Sequence, residues 1–263
     1  MTRSNTFRGL WAAMMALALL VATMASGATE QENNSRGVSN IVLIHGAWAD
    51  GSSWSKVIPL LESKGFHLVA VQMPLTSLAD DVAAVQRAIA LVDGPLLLVA
   101  HSYGGVVMTQ AGNDPKVAGL VYVAAFAPQE GQSAFDLANA NPTPVLPELR
   151  LDQFGFLKIT PKGIREDFAQ DLSDSEQTVL TVTQGPTAGG ASLSAPVSTA
   201  AWRNKPCWFA IANHDRVIAP TLQATLAEQM NATSITLQSS HVAMLSHPSE
   251  VASLIRRAAR ADR

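Results

Sequence analysis

Scarcity narrows this chain before any motif does. Cys207 is the only cysteine in 263 residues, which excludes an intrachain disulfide and a cysteine-based zinc site. Charged residues make up only 15%, and the formal net charge is −3. The chain has no Lys/Arg run, no basic stripe and no RNA-binding signature, so nucleic acid is not an expected partner. The histidines (His45, His67, His101, His214, His241 and His247) are scattered, and His241 and His247 lack the spacing of a helical metal pair. No metal or other cofactor is expected, and there are no internal repeats. What the chain has in quantity is apolar: 48% of it is hydrophobic, ample for the core of one domain.

The amino terminus stands apart. Arg3 and Arg8 precede an apolar run over residues 10–24, followed by Ala25, Ser26, Gly27 and Ala28. A basic start, an apolar middle and small residues before a cut after Ala28 or Ala25 describe a secretory signal peptide over residues 1–28. The rival is an uncleaved membrane anchor, since the run extended to Ala28 just reaches bilayer length. Removal takes away Arg3 and Arg8 and no acid, leaving 16 basic against 21 acidic residues, a net of −5. The mature protein is then expected in the periplasm or outside the cell, with no stable membrane association. Residues 29–38 are polar and read as a flexible leader.

From residue 39 the pattern alternates. Residues 39–44, 67–72, 96–100, 117–124, 206–212 and 234–237 read as strands. Residues 52–64, 78–92, 222–230 and 248–260 have helical apolar spacing. Strands alternating with helices predict an α/β fold with a mostly parallel sheet of about six strands and helices on both faces. The alternation breaks between about 129 and 200, a proline-containing stretch with a Gly-rich patch and weak helical signals at 161–172 and 175–183. Such an insertion at the carboxyl edge of a sheet is expected to form a cap over the site. Residues 39–263 thus read as a single domain with a cap insertion.

The densest chemical signal is LLLVAHSYGG at residues 96–105. Four apolar residues end in a turn that carries Ser102, and Val106, Val107 and Met108 open a helix. A serine on a sharp strand-to-helix turn, with small residues two before it (Ala100) and two after it (Gly104), is a nucleophile elbow. Crowding explains the small residues, because the strand end and the helix start lie too close for larger flanking side chains. The pattern is usually G-x-S-x-G. Ala100 is the smallest departure from it and is expected to be a tolerated steric variant. The bland alternative is an ordinary turn that happens to contain serine.

A serine hydroxyl needs a general base, and the base needs an orienting acid. In folds with this elbow the chain order is Ser, then acid, then His. Asp215 follows the strand at 206–212, and His241 follows the strand at 234–237. Both therefore lie at carboxyl strand ends, as Ser102 does. Ser102 is read as nucleophile, His241 as base and Asp215 as the orienting acid. The Tyr103 and Ala47 amides are read as oxyanion donors. The rivals are His247 for the base and Asp136 or Glu130 for the acid. His214 comes before Asp215, which is the wrong order. His45 and His101 read as structural hydrogen-bonders, and His67 as structural. Trp48, Phe126, Phe154 and Phe168 are candidate substrate contacts, although most apolar residues of such a cap simply pack it onto the body.

With these residues placed, the chain resembles the small α/β-hydrolases that include plant methyl-ester hydrolases of the salicylate-binding type, hydroxynitrile lyases and many bacterial esterases. The matching text is IVLIHGAW from residue 41, LLLVAHSYGG from 96, VYVAAFAPQEG from 121, DRVIAP from 215 and SSHVAMLSHPSEVASLI from 239. It covers the body, residues 41–128 and 202–255, and the cap only loosely. The resemblance implies the same triad and the same oxyanion donors. It also separates the lyases, which carry Thr after the first-loop His and Lys after the catalytic His. Here those positions are Gly46 and Val242.

The expected activity is hydrolysis of small to medium apolar carboxylic esters through an acyl-enzyme, with a small-molecule ester as partner. An amidase, a lactonase or a cofactor-free perhydrolase would use the same triad. A hydrolase-fold protein that only binds a ligand is the non-enzymatic alternative.

Overall fold

The computed structural model describes residues 37–261. The expected signal peptide, and the leader as far as residue 36, lie outside the described residues. Val38, the last leader residue, is instead buried, and its N–H donates to the Ala259 carbonyl at 2.8 Å.

Six strands form one parallel sheet in the order β2-β1-β3-β4-β8-β9. They are β1 (Asn40–Ile44), β2 (His67–Ala70), β3 (Leu96–His101), β4 (Val117–Val123), β8 (Cys207–Ala212) and β9 (Thr233–Leu237). Every residue of β3 is buried. That is why its sequence is continuously apolar rather than alternating: a parallel strand in mid-sheet is covered on both faces. The edge strands β2 and β9 are partly exposed and carry His67, Thr233, Ser234 and Thr236.

The flanking helices are α1 (Ile58–Glu62), α2 (Leu78–Ala90), α3 (Gly104–Ala111), α6 (Pro220–Gln229) and α7 (Pro248–Arg260), with α4 and α5 in the cap. Helix α2 packs with α3, and α7 packs with α1. The expected helix over 52–64 forms as two pieces, a 3-10 turn at Gly51–Trp54 and α1. Pro59 is the cause, since it has no N–H to donate and its ring would crowd the carbonyl four residues back. Helix α2 starts where Ser77 accepts from the Asp80 N–H.

The cap departs most from expectation. Its helices are α4 (Ala134–Ala140), opened by a Ser133/Asp136 capping box, and α5 (Asp174–Thr183). Between and after them lies a small antiparallel sheet, β5 (Leu149–Leu151), β6 (Phe156–Ile159) and β7 (Thr187–Ala188). Strands of two to four residues are too short for alternation to register in a sequence. A π-helical turn at Ile164–Phe168 carries Phe168. Among the described residues no helix is long and apolar enough to cross a membrane.

Candidate active site

All strands of the main sheet run the same way, so the loops after β1, β3, β8 and β9 emerge at one edge. Ala47, Ser102, Asp215 and His241 stand on those loops. The carboxyl edge is where open α/β sheets bind ligands.

Ser102 has φ +53°, a left-handed backbone that a non-glycine residue adopts only under constraint. The constraint is local. The Ser102 carbonyl accepts from the Gly105 and Phe126 amides. A Cβ on Gly104 would stand 2.5 Å from the His45 carbonyl oxygen, and one on Gly105 would stand 2.2 Å from that of Phe126. Helix α3 therefore begins pressed against two other loops, which only glycine permits. Ala100 is fully buried, in regular strand pairing with Ile44 and Tyr122.

His241 lies between the other two side chains. Its Nδ1 is 2.8 Å from Asp215 Oδ2, and its Nε2 is 2.8 Å from Ser102 Oγ. A carboxylate only accepts, so Nδ1 carries a proton, and in a neutral imidazole that leaves the Nε2 lone pair facing the Ser102 hydroxyl. Asp215 is buried and fully occupied. It also accepts from the Val217 and Ile218 amides, at 2.7 and 3.0 Å, and from Gln223 Nε2 at 2.7 Å. Such an arrangement can pass a proton from serine to imidazole while the acid holds the ring's tautomer.

The amides of Ala47 and Tyr103 donate to no protein group among the described residues, and both residues line the cavity at Ser102. Of the candidate substrate contacts, Trp48 and Phe126 line that cavity. Phe168 does not, but its ring lies edge-on to His241, with centroids 5.1 Å apart, and edge-on to Trp48 at 6.4 Å. Phe154 corrects the expectation. It stands at the β5–β6 turn with 76% of its surface exposed, away from the cavity. Asp152 Oδ1 accepts from the Phe154 and Phe156 amides, and Gly155 takes φ +84°, which builds a turn whose tip faces solvent.

The rivals are engaged elsewhere. Asp136 closes the α4 cap, Glu130 pairs with Arg203, and His247 precedes α7 with its Nδ1 on Ser246 Oγ. His45 accepts from the Met73 amide at Nε2 and donates from Nδ1 to the Gly46 carbonyl. Burial holds its pKa below the ordinary imidazole value, in keeping with that neutral, structural role. Among the described residues no cluster of His, Cys, Asp or Glu is placed to hold a metal ion.

Two residues escaped the sequence reading: Gln223 braces Asp215, and Asp171 accepts from the Ser240 amide beside His241. His101, read as a structural hydrogen-bonder, meets the His241 carbonyl through its Nε2. Gln223 had a visible signal, a polar residue on the buried face of α6 beside Leu222, Leu226 and Ala227.

Residues 41–254 match the model of the alpha/beta hydrolase family. The chain belongs to the alpha/beta hydrolase family. A probable hydrolase of Phoma sp. is 26% identical over 200 residues, covering 70% of this chain and 80% of that one. A carbendazim hydrolyzing esterase of Nocardioides sp. is 33% identical over 116 residues, 38% of this chain and 47% of that protein. The crystal structure of a pyrethroid hydrolase from Sphingobium faniae superposes with a TM-score of 0.75 at 22% identity, covering 85% of this chain and 98% of the other. At that identity the likeness speaks for the alpha/beta hydrolase fold alone.

Proposed function

We propose that this alpha/beta hydrolase is an exported serine esterase that cleaves small to medium apolar carboxylic esters. The observation that carries the reading is His241 held at 2.8 Å from both Ser102 Oγ and Asp215 Oδ2. Ser102 Oγ attacks the acyl carbon and gives its proton to His241 Nε2. The oxyanion is received by the Ala47 and Tyr103 amides. The C–O bond to the alcohol breaks, and His241 returns the proton to the leaving oxygen. Water, activated by the same imidazole, then hydrolyses the acyl-Ser102 ester. The esterase among the relatives supports a carbonyl ester as the bond cleaved.

Cyanohydrin cleavage is disfavoured on packing as well as on residue identity. A Cβ at Gly46 would stand 2.8 Å from Ser102 Cβ, so a threonine there would need the loop to move.

The test is hydrolysis of p-nitrophenyl acetate and butyrate by the wild type, Ser102→Ala and His241→Ala. Each variant should lose about 10³-fold or more in kcat. Undiminished turnover by Ser102→Ala would overturn the assignment. The export arm is read from the first residue of protein recovered outside the cytoplasm. Thr29 or Ser26 is expected there, and an intact amino terminus found only inside the cell would refute export.

A further inference from the structure

We infer that the cavity at Ser102 is an acyl chamber built for a short, uncharged acyl group, acetyl or propionyl. The inference rests on the esterase reading above and adds the substrate arm that this site selects.

Proton transfer fixes which arm goes where. The leaving alcohol oxygen takes its proton from His241 Nε2, so the alkoxy arm of a bound ester lies on the imidazole side of Ser102. The cavity is lined by Ser102 and by Ala47 and Tyr103, whose amides are free, but not by His241. It therefore opens on the oxyanion side, where the acyl arm projects.

Size sets the length of that arm. The chamber holds about 30 Å³. That is about a tenth of the room in the cavity that Trp48 and Leu245 line, so with the carbonyl oxygen on the two amides the chamber suits a short acyl arm, a methyl or an ethyl. Phe126 closes one wall, Phe135 of α4 and Leu146 another, and Leu193 a third. Phe126 and Leu193 are themselves buried, so neither of these two walls can swing into solvent to admit a longer chain.

Polarity sets the charge. Apart from the Ser102 hydroxyl, no lining side chain offers a free polar group, because the Tyr103 hydroxyl donates to Asp81 Oδ2 at 2.8 Å. A carboxylate or ammonium on the acyl arm would be buried without a partner. The alcohol arm faces no such limit. Trp48 is also a wall of a second cavity of about 300 Å³, which Leu245, in the short helical turn Ala243–Ser246 after His241, lines as well.

The chemistry balances with water as the only co-reactant. The acyl C–O bond to the alcohol breaks as the bond to Ser102 Oγ forms, and water then releases the short carboxylic acid.

The experiment compares kcat/KM for p-nitrophenyl acetate, propionate, butyrate, hexanoate and octanoate. The expected optimum is acetate or propionate, with a fall of about 100-fold or more by octanoate, since a single methylene in a shaped pocket is worth about 10-fold or more. Leu193→Ala should raise the octanoate-to-acetate ratio at least tenfold. Leu146→Ala, at a half-buried position, gives the same readout should Leu193→Ala fail to fold. A wild-type optimum at hexanoate or octanoate overturns the chamber and leaves the esterase reading standing. So does a short-chain optimum that neither variant shifts. No turnover of any ester, together with no labelling of Ser102 by a fluorophosphonate, overturns both.

Discussion

The His101 side chain donates its Nε2–H to the main-chain carbonyl of His241 at 3.0 Å, and the two rings lie 4.6 Å apart. A carbonyl only accepts, so the proton sits on Nε2, and the buried Nδ1 has no partner among the described residues. His101, which precedes Ser102, thus holds the loop of His241. His101→Leu should lower kcat about 10- to 100-fold with little change in KM, because a small misplacement of the base is costly. His101→Gln, which can still donate, should recover part of that loss. An equal rise in KM in both variants would point to a merely structural role.

The same pair bears on acid stability. Burial holds His101 well below the ordinary imidazole value, with the neighbouring His241 adding to the effect, and burial lowers His45 too. The unfolded chain binds protons at these sites below about pH 6.5, and the folded chain does not. Their contribution is therefore complete above that value and is lost as pH falls through it. The urea midpoint of the wild type should drop between pH 7 and pH 5, and His101→Gln should flatten the drop. Identical slopes for the two proteins would refute the assignment.

Gly46 provides a steric test. A Cβ there meets Ser102 Cβ at 2.8 Å and His101 Nδ1 at 2.9 Å. Neither is the far end of a flexible side chain, so Gly46→Ala must push the Ser102 turn or the loop after β1. The expected result is a loss of about 10²-fold in kcat and about 1–3 kcal/mol in stability. Esterase assays and urea titration of the same preparation separate the two effects. Wild-type kcat in Gly46→Ala would mean that the loop yields freely.

The parts of the molecule differed in how plainly the sequence announced them. Strands β1, β3, β4 and β8 were readable because burial on both faces makes them continuously apolar. The order Ser102, Asp215, His241 was readable because a parallel sheet puts the loops after its strands on one edge. The cap sheet was not, because Leu149–Leu151 and Thr187–Ala188 are shorter than the period that would reveal them. Phe154 was misread because an aromatic in an insertion carries no mark of which way its turn points. Gln223 showed only as a polar residue on the buried face of α6, and His101 only as a hydrogen-bonder, because the partner of each, the Asp215 carboxylate and the His241 carbonyl, is set by how the elements pack.

Gln223 is the brace on Asp215. Its Nε2 donates to Asp215 Oδ2 and to the Ile218 carbonyl, while its Oε1 accepts from the Ala212 amide. Gln223→Ala leaves a buried amide and a carboxylate oxygen short of a partner, which should cost about 1–3 kcal/mol. Gln223→Glu should act differently. A second carboxylate beside Asp215 favours the imidazolium form of His241, so a higher pH is needed to free the base. The acid limb of kcat/KM should therefore move to higher pH. A limb unmoved in Gln223→Glu would argue that the glutamate turns away from the pair.

Asp81 is a fully buried carboxylate that forms no ion pair among the described residues. It accepts from the Leu75 amide and the Tyr103 hydroxyl, both at 2.8 Å, and so ties helix α2 to the residue after Ser102. Burial raises its pKa above the usual carboxylate value, against the opposing pull of these hydrogen bonds. A raised folded value means that Asp81 favours the folded state most at low pH. That contribution falls as pH rises from the unfolded value, about 3.9, through the folded one. Asp81→Asn removes the titration but keeps the geometry: the amide oxygen can accept from Leu75, and the amide nitrogen can donate to the Tyr103 oxygen. Relative to the wild type, the Asn variant should therefore gain stability as pH rises from 4 to 7, read from paired urea midpoints. A constant difference across that range would mean that Asp81 titrates alike in the folded and unfolded chains.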